Sequence, residues 1–164
     1  GGSEIADSIR TVVQGTKFKE EMDPVCEAYL YASSRAQTLR SIVKPVLDKG
    51  KIIISDRSVF TSLTYQAVAR GLGVKTILEI NKIAVGNIWP SKVFFIDLPI
   101  KIALARCNDT DGDKFEKMGH EFFNKCRKGY LALAKKYPRM FITIDGQGTI
   151  DEVQKRIYDR FKNI

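Results

Sequence analysis

The sequence holds little that could clasp a metal or relay a proton through an imidazole. Its three cysteines, Cys26, Cys107 and Cys126, stand far apart, are odd in number and form no C-x-x-C pair. That spacing excludes a zinc ribbon or a disulfide scaffold and reads as reduced thiols in a cytoplasmic protein. His120 is the only histidine and falls on a helix, where a lone histidine reads as a surface residue. No apolar run approaches the ~18 residues that would cross a bilayer. The chain opens at Gly1 without Met and without a basic-then-apolar start, so nothing reads as a signal peptide. No stretch rich in Pro, Gly or Ser divides it and no repeat recurs. Its 164 residues therefore read as one domain, residues 1–164, with a single core.

What is present is basic. Twenty-seven Lys and Arg against 19 Asp and Glu give a formal charge of +8. Such a balance suits either a polyanionic ligand or a merely basic surface. The cations are scattered rather than blocked, which argues against a nucleic-acid polymer as partner.

Periodicity divides the chain into alternating elements. Ile5, Ile9, Val12 and Val13 share one helical face behind Ser3, a ready N-cap, and Gly15 can end that helix. Asp23 and Pro24 open a long helix that runs to about Lys49, with Gly50 as its stop and Pro45 as a kink or a late-turn residue. Its apolar positions are Cys26, Tyr29, Leu30, Ala36, Leu39, Val43 and Leu47. The β-branched run 51–55 reads as a buried parallel strand. Helices are expected over 62–70 and 76–87, and a second strand over 92–97. A helix then runs from Pro99 to Cys107, a polar loop covers 108–114, and a helix spans about 117–136. A third strand, 141–144, precedes a last helix whose Thr149 and Glu152 form a capping box. Apolar strands alternating with helices define an α/β fold with a parallel sheet flanked by helices.

In an open parallel sheet, ligands sit beyond the carboxyl ends of the strands. Each strand here ends in an aspartate: Asp56, Asp97 and Asp145, the first followed by Arg57. Asp56 fits either a carboxylate capping its turn or a residue of a phosphate network with an outer-sphere magnesium. A guanidinium beside it can grip phosphate bidentately. Tyr31 and Arg35, four apart, share a helix face. They suit a stacked base with a hydrogen bond to its edge, or equally a half-buried ring beside a surface cation.

Taken in order, these segments resemble the thymidylate kinases. The resemblance rests on GGSEIADSIR (1–10), EAYLYASSRAQTLRSIVKPVLDKG (27–50), IIISDRSVFTSLTYQAVARGLG (52–73) and KVFFIDLPIKIALAR (92–106). DKFEK (113–117), FFNKCRKGYLALA (122–134) and ITIDG (142–146) add to it. The resemblance implies a P-loop-type nucleotide kinase fold, incomplete at the N-terminus here. It implies Mg²⁺-dependent transfer of a phosphoryl group from ATP to dTMP, and a cytoplasmic homodimer paired through residues 24–49. By its motifs, Tyr31 stacks on thymine and Arg35 hydrogen-bonds the base. Arg57 holds the substrate phosphate, and Asp56 is its strand-end partner near magnesium, reached through water. Ser62 and Gln66 line the base pocket, Tyr65 packs under the deoxyribose, and Arg70, which closes the family's R-G ending, is counted with them among the substrate-binding candidates. Residues 108–116 correspond to a lid, with Arg106 and Lys114 as its cations.

The sequence departs from the family at three places. Ser58 stands where Tyr or His is usual, and the lid is poor in arginine. No G-x-x-x-x-G-K-[ST] phosphate loop occurs in these residues. These 164 residues alone are therefore expected to be inactive and unstable, with a gap or a rearrangement where the phosphate-loop strand pairs. Two other readings remain at this level. One is a kinase for another nucleotide or a deoxynucleoside; the other is a catalytically dead nucleotide- or partner-binding protein.

Overall fold

The computed structural model describes residues 2–15, 18–107 and 118–164. The lid segment, with Lys114, lies outside the described residues. Helix α1, Glu4–Gln14, starts where expected, the Ser3 hydroxyl accepting from the Ala6 N–H. Helix α2, Pro24–Thr38, starts on Asp23, whose carboxylate accepts from the Val25 and Cys26 N–H groups. The helix does not break at Pro45. It widens into a π turn, Leu39–Val43, and continues as α3, Lys44–Leu47. A π turn shifts the hydrogen-bond register by one residue just before a proline that has no N–H to offer.

The buried face of α2 is not the one its apolar residues suggested. Glu27, Ala28, Ala32 and Ser34 are buried, while Cys26 and Tyr29 are exposed. Small residues win that face because α1 and α5 press closely on it. The Ser34 hydroxyl reaches the Ala6 carbonyl across the α1–α2 contact at 3.2 Å.

Helix α4, Val59–Thr64, is capped by Ser58 and runs into a second π turn, Tyr65–Ala69. Gly71 and Gly73 then reverse the chain at positive φ, which only glycine adopts freely. Helix α5, Val74–Val85, follows, then strand β1, Val93–Asp97, helix α6, Ile100–Cys107, and helix α7, Gly119–Lys136. Strand β2, Phe141–Asp145, and helix α8, Ile150–Phe161, close the chain, the latter on the expected Thr149–Glu152 capping box.

Among the described residues the sheet has two strands. They pair in parallel and in register, Val93 with Phe141 through Asp97 with Asp145. Segment 51–55, expected as a buried strand, is not part of it. No ladder bond joins it to the sheet, and Ile52 and Ile54 are 78% and 90% exposed. An apolar run becomes a strand only where a neighbour satisfies its N–H and C=O groups, and none of the described residues does so.

The core gathers Phe60 and Leu63 of α4, Ala67, Ile77 and Val85 of α5, and Phe141 of β2. Phe60 meets Phe141 edge to face at 5.0 Å, and Phe95 stacks on Tyr130 of α7 at 5.1 Å. Helix α7 approaches α4 through Gly129, where a Cβ would stand 3.2 Å from the Thr64 methyl.

Candidate active site

A half-buried aromatic cluster lies where α2, the second π turn and α7 meet. It brings Tyr31 and Tyr65 against Phe122 and Cys126. Tyr65 meets Phe122 edge to face at 5.6 Å. Tyr65 and Gln66, adjacent at the start of the π turn, take different directions as neighbours on a helix do: the ring joins the cluster and Gln66 enters the core. The Cys126 thiol is buried and pushed up to about 12 by desolvation, against the pull of the Arg57 guanidinium.

Arg57 lies over the Tyr65 ring, 5.7 Å from its centroid. Its backbone has a φ of 70°, rare for a residue with a side chain. The Ser55 hydroxyl donates to the Arg57 carbonyl at 2.8 Å and helps hold that conformation. Strain of this kind gathers at functional positions. Asp56, beside it, is exposed at the same bend.

One turn beyond Tyr31, Arg35 is held by neutral groups. It donates to the Ser62 hydroxyl at 2.9 Å, to the Ser58 carbonyl at 3.4 Å and to the Asn81 side-chain oxygen. Burial pulls its guanidinium down to about 10, and the nearby Tyr31 hydroxyl opposes that shift. It therefore stays charged at neutral pH, next to no carboxylate that it bonds among the described residues.

The structure thus brings Tyr31, Arg35, Arg57, Ser62 and Tyr65 together. It engages Gln66, expected to line the base pocket, and Arg70, expected among the substrate-binding residues, with another partner. Gln66 is 2% exposed and donates to Glu27 at 2.9 Å, while Arg70 forms an ion pair with the same carboxylate at 2.9 Å. A carboxylate at 0% exposure needs such partners, and their side chains are turned to it. Arg106 donates to the Gly146 and Gly148 carbonyls at 3.2 and 2.8 Å, fastening α6 to the loop after β2. The other two strand-end aspartates are likewise occupied. Asp97 takes a bidentate pair from Arg127 at 2.6 and 2.9 Å, and Asp145 accepts from the Gln147 N–H at 3.0 Å.

Sequence reasoning missed Glu27 and Asn81. Both had a signal. Glu27, Tyr31 and Arg35 are spaced by four along one helix face, and extending the pair back one turn finds the glutamate. Asn81 follows Ile77 by four on the buried face of α5, a polar residue inside an apolar stripe.

A parallel sheet flanked by helices, with a cluster of aromatic rings and guanidinium groups, fits the class of the α/β nucleotide kinases. The thymidylate kinase family model matches residues 1–157. Among relatives named thymidylate kinase, that of Thermoanaerobacter sp. strain X514 is 35% identical over 162 residues, covering 99% of this chain and 79% of the relative. That of Symbiobacterium thermophilum is 38% identical over 157 residues, covering 96% and 73%. That of Fervidobacterium nodosum is 37% identical over 161 residues, covering 98% and 79%. The chain belongs to the thymidylate kinase family.

Proposed function

We propose that the protein transfers the terminal phosphoryl group of ATP to the 5′-phosphate of dTMP, yielding ADP and dTDP. The observation that carries this reading is the single cluster of Tyr31, Arg35, Ser62, Arg57 and Tyr65. Tyr31 offers a ring face for the pyrimidine, and Arg35 offers donors to a base carbonyl. Tyr65 packs under the sugar, and Arg57 neutralises and orients the 5′-phosphate. Catalysis is then positioning and charge neutralisation, without a covalent enzyme intermediate.

Magnesium fits this arrangement in one way only. Among the described residues no three acidic, His or Cys side chains group into a metal site. Exposed Asp56 suits an outer-sphere contact, since Mg²⁺ in such sites keeps its waters and leans on substrate phosphates. When bound, the ion supplies charge to the phosphate oxygens. The ATP phosphates are assigned to none of these residues, which contain no phosphate-loop motif. Of the two lid cations, Arg106 already holds two carbonyls, and Lys114 is our assignment for the phosphoryl group.

The proposal includes a cytoplasmic homodimer. Free Cys26 and Cys126 agree with a reducing compartment, and none of the described helices is long and apolar enough to cross a membrane. The outer face of α2 with exposed Tyr29, and a groove lined by Ser33, Gln37 and Ile83, suit a second copy. A single-protomer mass at micromolar concentration contradicts the pairing.

The test of function is a coupled ADP-release assay on the full-length protein with a nucleotide panel. dTMP is expected to be the preferred acceptor. Arg57→Ala should lower kcat/KM for dTMP by about 1.5–3 kcal/mol, the worth of a charge-assisted contact at the reacting phosphate. Preference for another acceptor, or Arg57→Ala within twofold of wild type, refutes the reading.

A further inference from the structure

Arg35 owes its position to a residue of another helix. Asn81 is 2% exposed on α5, and its Nδ2 donates to the Ile77 carbonyl one turn back at 2.8 Å. A guanidinium carries only donors, so the amide oxygen must face Arg35, and the Ile77 carbonyl holds the amide that way round. Asn81, Ser62 and the Ser58 carbonyl together engage three of the guanidinium's five N–H groups. The remaining two make no hydrogen bond among the described residues.

All three of these partners are neutral. The contrast lies on the same helix face, two turns earlier, where Glu27 meets Arg70 as a carboxylate. A carboxylate at position 81 would quench the charge of Arg35; an amide holds the group and leaves its charge uncompensated. We propose that Asn81 is a positioning residue for base recognition. It locks Arg35 as an uncompensated, donor-only group and thereby selects a pyrimidine that presents a carbonyl acceptor over one that presents an amino donor. The inference rests on the reading of this cluster as the dTMP site, and it adds a residue that touches no substrate itself.

The geometry makes two separable demands. Losing Asn81 should weaken dTMP through KM while sparing kcat and the KM for ATP, because no reacting atom is near it. The loss should also vanish once Arg35 is gone, since Asn81 acts through it. The experiment is a double-mutant cycle on the full-length protein, with Asn81→Leu, Arg35→Met and the pair, followed by steady-state kinetics with dTMP and dCMP. Asn81→Leu is expected to raise KM for dTMP roughly tenfold, the scale of a lost hydrogen bond to a charged group. It should also narrow the dTMP-to-dCMP ratio of kcat/KM and add less than twofold in the Arg35→Met background. Asn81→Ser, which leaves a smaller polar group, carries the same cycle if the leucine variant melts early.

An Asn81 variant within twofold of wild type, or one whose effect persists undiminished without Arg35, overturns the inference. So does an unchanged dTMP-to-dCMP ratio. Normal dTMP kinetics in Arg35→Met would sink the base-recognition reading and this inference with it. A damaged Arg35→Met beside an unaffected Asn81→Leu overturns the inference alone.

Discussion

Arg70 offers a direct contest between two roles. Arg70 is a candidate for substrate binding, whereas the structure pairs it with Glu27, a carboxylate at 0% exposure, while Arg70 itself is 20% exposed. Replacing Arg70 with Met keeps most of the aliphatic bulk and removes the counter-charge. The carboxylate then stays in the core without its guanidinium, which costs about 3–5 kcal/mol for a buried pair broken on one side. Against a total stability of about 5–15 kcal/mol, such a loss is severe. At ~2–4 °C per kcal/mol for a domain of this size, the melting midpoint should fall by roughly 6–20 °C. Adding Glu27→Gln to Arg70→Met removes the stranded charge and leaves an amide that can still bond Gln66. The double variant should therefore melt well above the single one. Thermal unfolding of the full-length protein followed by circular dichroism reads all three, with KM for dTMP measured below the lowest midpoint. An Arg70→Met midpoint within 2 °C of wild type together with a raised KM for dTMP refutes the structural account and returns Arg70 to the substrate. A double variant no more stable than the single one refutes the charge argument.

Three further outcomes are expected. Tyr65→Ala should relax discrimination against the ribonucleotide, read as the deoxy-to-ribo ratio in kcat/KM; an unchanged ratio removes the ring from beneath the sugar. Cys126, with its thiol raised from 9.0 to about 12 chiefly by burial, should resist alkylation at pH 8 while exposed Cys26 reacts. The folded state holds that proton more tightly, so its contribution to stability is complete below pH 9 and lost as pH rises through 12; equal labelling of both peptides by mass spectrometry contradicts the burial. Gly146→Ala should destabilise by about 1–3 kcal/mol, because a Cβ there would meet the Ile96 side chain at 2.8 Å and the Asp97 carbonyl at 3.0 Å. An unchanged midpoint would mean that the loop after β2 moves aside freely.

Local chemistry was legible in the sequence. Ser3, Asp23 and Thr149 cap their helices as read, because a cap depends on a few adjacent residues. Strands 93–97 and 141–145 emerge within a residue of their expected bounds, since each apolar run found its partner in the other. The D-R…T-S-L-T-Y-Q…R-G block was enough to point to the family, and Tyr31, Arg35, Arg57, Ser62 and Tyr65 do gather into one cluster.

Tertiary structure decided the remainder. Whether 51–55 pairs depends on a neighbouring strand, which no property of an apolar run supplies. Which face of α2 is buried depends on how closely α1 and α5 approach, and that favoured Ala28 and Ala32 over Tyr29. The two π turns redirect side chains by one register step that periodicity does not encode. Arg35 and Arg70 look alike in sequence, two arginines near a kinase motif. Only the fold gives one a neutral amide from position 81 and the other a buried carboxylate from position 27, because charge partners are chosen by distance in space rather than along the chain.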